Sequence, residues 1–194
     1  MSSILNEMYN YIITLINSSA IYGPLFACLL IFLESIIPVL PLFVFITILF
    51  VSYGYVFGFI ISYILTCFGC LFSFYLCRTF LINFFRKKIR KINKYNILMK
   101  KIDNINFSSL VLLIAIPFTP AFLINIACAL SEMKYKKFII AILTGKIFLV
   151  FFWGFIGTSL IESLKNPKIF LIIVIMLFFA YILSKIVTKK LEIE

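Results

Sequence analysis

A chain of 194 residues that is 64% hydrophobic, with 24 Phe and only 13% charged residues, lies far outside the composition of soluble globular domains and reads as an integral membrane protein. Its net charge of +11 would suit nucleic acid, but nine of the 18 basic residues fall within 78–101, beside a membrane segment. Such a block marks the cytoplasmic side and touches anionic inner-leaflet lipid, so membrane lipids are the expected partners and no nucleic acid is.

In chain order, residues 1–20 set Ile4, Leu5, Met8, Ile12, Leu15 and Ile16 on one helical face and Asn6, Glu7, Asn10, Thr14 and Asn17 on the other, which predicts an interfacial amphipathic helix. No basic n-region precedes this run, so a removable signal peptide is not expected. Residues 21–53 are apolar but interrupted by Glu34, Pro38 and Pro41, whereas 54–78 form a clean crossing that ends at Arg78. Residues 79–103 are amphipathic and basic and should lie on the inner leaflet. A second proline-broken run, 104–131, carries Pro117 and Pro120; 138–161 is a crossing with one charge, Lys146; and 165–194 hold a C-terminal transmembrane helix with a short basic tail. All five cysteines, including the Cys67-x-x-Cys70 pair, lie in apolar segments with no His in the chain, which favours buried structural thiols over a redox or metal pair.

The prolines raise a topological choice, and the charges decide it. If 104–131 spans, eleven cations lie in the cytoplasm against six outside; if it dips in and returns, fifteen lie inside and only Lys165 and Lys168 outside, with Lys146 left out of both counts. The positive-inside rule favours the dip. Proline supplies the mechanism, because it lacks an N–H and pushes the preceding residue out of helix. Two half-helices of about 15 Å each then replace one span of about 30 Å. The alternative is a kinked spanning helix.

The same logic makes 21–53 a re-entrant hairpin and leaves the N-terminus outside and the C-terminus cytoplasmic in the cell membrane. Ile37-Pro38-Val39-Leu40-Pro41 is echoed 79 positions later by Ile116-Pro117-Phe118-Thr119-Pro120, and Phe59-Ile60-Ile61 by Phe138-Ile139-Ile140 at the same offset. Each half is a hairpin followed by a crossing, in opposite orientations. The expected fold is therefore an all-α polytopic membrane protein: an N-terminal amphipathic helix, two re-entrant helical hairpins in an inverted repeat, and three transmembrane helices, with 21–164 as the central membrane domain.

Three stretches carry a family resemblance: "ESIIPVLP" from Glu34, "GCLFSFYLCR" from Gly69 and "IPFTPAFLINIACALSEM" from Ile116. Together they resemble the DedA family, also called the VTT or SNARE-associated domain family, over residues 21–160. The resemblance implies a membrane transporter of lipids. Some relatives recycle a polyprenyl-phosphate carrier, others move or scramble phospholipids, and proton coupling is proposed. The chain departs from the family pattern at Ile114 and Pro120, where arginines occur in relatives, and at Cys77 and Ala129, where glycines do.

Glu34 is the sharpest candidate, since a carboxylate in an apolar run is costly unless protonated, paired or wet. It suits a proton-coupling group; the competing reading is a residue at the outer headgroups. Lys146 either snorkels to the inner surface or replaces the missing arginine as a phosphate ligand or partner of Glu34. Pro38, Pro41, Pro117 and Pro120 shape the site by presenting half-helix N-termini to an anion. Asn125 either donates hydrogen bonds there or ties the hairpin's freed carbonyls, and Arg78 either joins the site or anchors an interface. Gly69 and the Gly154/Gly157 pair read as close helix packing points.

With no His and a single Asp, Asp103, enzymatic readings find little support, and no cofactor or metal is expected. The expectation is a lipid translocase for an anionic or phosphate-bearing lipid, such as polyprenyl phosphate or a phospholipid, with proton coupling in view. A non-transporting scaffold or assembly factor is the alternative. Homo-oligomerisation is left open, and the polar rings of an ion channel are scarce.

Overall fold

The computed structural model describes residues 22–37, 40–81, 102–119, 121–164 and 166–190. Among these every regular element is helical. The expected amphipathic helix over 1–20, most of the basic segment 79–103, Pro38, Pro120, Lys165 and the tail beyond residue 190 lie outside the described residues.

Helix α1, Tyr22–Glu34, has 13 residues. At about 20 Å it is too short to cross about 30 Å of hydrocarbon. It ends ahead of Pro38, and the Ile36 and Ile37 amides both turn back to the Leu33 carbonyl, at 2.9 and 2.8 Å. Pro41 stands at the entry of α2, Leu42–Leu76, where its missing N–H leaves no carbonyl unpaired. Gly54, at φ 76° and ψ 174°, breaks α2 into arms 42–53 and 55–76. A side chain is strongly disfavoured in that conformation. The arms lean on each other just beyond the break, because a Cβ on Gly58 would sit 2.6 Å from Phe50 Cα. The second arm, about 33 Å long, passes into a π-helical turn, Cys77–Leu81.

Two more short helices follow: α3, Phe107–Ala115, and α4, Ala121–Leu130. Ile116 is extended, at φ −78° and ψ 126°, as the residue before a proline should be. Phe118 sits in the left-handed region at φ 71°. For a residue other than glycine that costs about 1–3 kcal/mol. The pair returns to its own start: Asp103 Oδ1 accepts from the Glu132 amide at 2.7 Å, and the Lys137 ammonium donates to the Ile105 carbonyl.

Helices α5, Tyr135–Ser163, and α6, Pro167–Lys190, complete the fold. Asn166 opens α6, accepting at Oδ1 from the Lys168 amide at 3.1 Å. Among the described residues, three helices are long and apolar enough to cross a membrane: Leu42–Phe80, Tyr135–Ser163 and Lys168–Val187.

Two apolar cores meet along α5. One joins the end of α2, α3, α4 and the start of α5, where Phe74 stacks on Phe138 at 4.1 Å between centroids. The other joins α1 and the first arm of α2 to Val150. Glycines allow the close contacts: Gly154 lies under the Phe50 ring and Gly157 under Thr47. Phe57, Phe68, Phe151 and Phe178 point outward. A hydrocarbon surround accepts such a surface and water does not.

Candidate functional site

Glu34 ends α1, and its neighbour Ser35 fixes where it lies. Ser35 is fully buried, its Oγ 3.6 Å from Cys70 Sγ. Gly69 faces it, and a Cβ there would come within 2.7 Å of Ser35 Oγ. Phe32 packs its ring on Phe68 and Phe72, at 5.7 and 5.4 Å. The end of α1 is thereby seated on the middle of the second arm of α2. Two turns back on that arm, Tyr63 donates through its hydroxyl to the Leu143 carbonyl at 2.9 Å, fastening α2 to α5 one turn before Lys146.

Lys146 is 1% exposed, and neither its Nζ nor Glu34 Oε2 has a hydrogen-bond partner. The lysine does not snorkel. An ammonium held inside a protein without a partner costs several kcal/mol, so the fold retains it against its own stability.

Further buried polar atoms lack partners. Asn125, on α4 and 1% exposed, has neither amide atom bonded, so it does not tie the carbonyls freed at the break. Thr119 Oγ1, beside the break, and Ser62 Oγ, on α2 one residue from Tyr63, are in the same condition. Native interiors contain few such groups, and each calls for an explanation. Sequence reasoning passed over Thr119 and Ser62, because a hydroxyl in an apolar run is normally absorbed by the preceding helical turn, as Thr66 does with the Tyr63 carbonyl at 3.0 Å.

It also passed over Trp153, the single tryptophan. Its ring meets Phe43, two residues past Pro41, at 5.7 Å and Phe118, next to Pro117, at 5.5 Å. Both proline breaks thus touch one side chain, two helical turns along α5 from Lys146. Pro41 is exposed and Pro117 is buried.

Arg78 belongs elsewhere. Its Nη1 donates to the Met133 carbonyl at 2.7 Å, and its guanidinium lies over Tyr135 and Phe74, at 4.6 and 5.5 Å. Tyr135 is about 16 Å along α5 from Lys146, so Arg78 anchors the α4–α5 junction away from Glu34 and Lys146. All five thiols are free, and no group of three His, Cys, Asp or Glu among the described residues could hold a metal.

These parts fall within a stretch that is similar to known proteins. The VTT domain matches residues 37–159. The chain belongs to the VTT-domain (DedA) family. It is 31% identical over 186 residues, covering 93% of this chain and 87% of the relative, to the Bacillus subtilis (strain 168) protein named "Uncharacterized membrane protein YhjE". No solved structure matches. Within the VTT domain, Ile114 packs on Gly145, the residue before Lys146.

Proposed function

We propose that this VTT-domain protein moves a phosphate-bearing lipid, a polyprenyl phosphate or a phospholipid, across the cell membrane. Lys146 receives the phosphate, Glu34 exchanges a proton beside it, and Asn125 and Thr119 offer hydrogen bonds. The observation that carries the reading is the fully buried, unpartnered Lys146 ammonium together with the half-buried Glu34, whose Oε2 is buried without a partner, on separate helices.

Two re-entrant hairpins form the transport site, with the N-terminus outside and the C-terminus cytoplasmic. The Asp103–Glu132 contact, which joins the entry and exit of the α3–α4 pair, supports the second dip. The shared contact of Phe43 and Phe118 with Trp153 supports the meeting of the two tips expected of an inverted repeat. Basic side chains such as Lys134 and Lys136 meet anionic lipid on the cytoplasmic side.

The test is transbilayer movement of a polyprenyl phosphate and of common phospholipids, side by side, in liposomes holding the purified protein. Movement above that of empty liposomes, lost in Lys146→Met, is the expected result. No movement of any lipid returns the protein to a scaffold role.

A further inference from the structure

Charge balance at the buried pair separates two kinds of phosphate. Resting on the proposed lipid transport, we infer that the site admits a phosphodiester head group and discriminates against a phosphomonoester, which of the two lipid classes proposed above selects the phospholipid over the polyprenyl phosphate. Among the described residues, Lys146 is the cation that is buried without a partner. Glu34 is the carboxylate with a buried, unpartnered oxygen. The other described side chains with a buried polar atom lacking a partner, Ser52, Ser62, Thr119 and Asn125, are neutral. Arg78 and Lys137 are held to backbone carbonyls at the α4–α5 end, and Lys134 and Lys136 are exposed. Among the described residues, the charges with buried, unpartnered atoms therefore sum to zero with Glu34 ionised and to +1 with Glu34 protonated.

A phosphodiester carries one negative charge. Set against Lys146 with Glu34 protonated, it leaves the interior neutral. A phosphomonoester carries a charge of about −1.5 to −2 at neutral pH. Even with Glu34 protonated, it leaves negative charge uncancelled in a medium that penalises it heavily. Hydroxyl and amide donors can bond either head group, but they add no charge.

The test compares phosphatidylglycerol with phosphatidic acid, both with the same fluorescent acyl chain, in liposomes containing the full chain. At about pH 8.5 the diester should cross at least about tenfold faster, the scale set by an uncancelled buried charge. Near pH 5, below the second ionisation of a phosphomonoester at about pH 6, phosphatidic acid becomes monoanionic and the two rates should converge. Glu34, Tyr63 and Cys67, the titratable groups around Lys146, act on both lipids, so the ratio of rates isolates the ionisation of the lipid. Equal rates at the higher pH, faster phosphatidic acid, or a gap that persists near pH 5 would overturn the selectivity and leave transport standing. Movement of neither lipid would overturn both.

Discussion

Ile114 lies on Gly145: a Cβ added to the glycine would stand 2.7 Å from Ile114 Cγ2 and 3.0 Å from the Val111 carbonyl oxygen. Helix α3 therefore approaches α5 more closely than any side chain at position 145 permits. Ile114 is a branched hydrocarbon, and the next residue of α5 is the buried lysine.

Gly145→Ala should cost about 1–3 kcal/mol through overpacking, read as a lower Tm in detergent. Ile114→Ala in the same chain should recover part of that loss. An unchanged Tm for Gly145→Ala would mean that the two helices are not in this contact.

Lys146→Met should be more stable than the natural chain while losing transport. Replacing a buried, unpartnered ammonium with a hydrocarbon of similar length removes a desolvation penalty, a gain of about 1–4 kcal/mol. A lower Tm for Lys146→Met would identify a structural partner for the ammonium instead.

Trp153, as the single tryptophan, reports on both proline breaks. Phe118→Leu and Phe43→Leu should each shift its emission, because each removes an aromatic neighbour. Pro117→Ala combined with Pro120→Ala should also shift it and should reduce transport while insertion stays intact. Unchanged emission in all three variants would place the breaks away from Trp153.

Single cysteines introduced at positions 94 and 134 should be labelled from the same, cytoplasmic face, as the fifteen-to-two charge distribution requires. Labelling from opposite faces would make 104–131 a spanning helix and end the inverted repeat.

The breaks in the fold were legible in the sequence because their causes are local. Pro117 forces Ile116 out of helix whatever surrounds it, and Gly54 is the residue type that accepts φ 76°. Glu34 and Lys146 stood out because a charge in an apolar run has no ordinary explanation. How the helices that carry them pack was not legible. Composition and periodicity do not say that Ser35 settles on Gly69, or that Tyr63 reaches Leu143. In a chain with 24 Phe, nearly every helix face is apolar, so the pattern does not tell a packed face from a lipid-facing one. Arg78 illustrates the same limit, since its partners Met133 and Tyr135 are more than fifty residues away.

The central claim is that Glu34 and Lys146 act together on a lipid phosphate, and the most direct measurement is transport of charged and neutral lipids by three variants in liposomes across about pH 5.5 to 8. Glu34→Gln should move lipid at a rate that no longer varies with pH. Lys146→Met should lose phosphate-bearing lipids more than neutral ones, and Lys146→Arg should retain them because a guanidinium also binds phosphate. A natural pH profile in Glu34→Gln, or equal losses of charged and neutral lipids in Lys146→Met, would contradict the account.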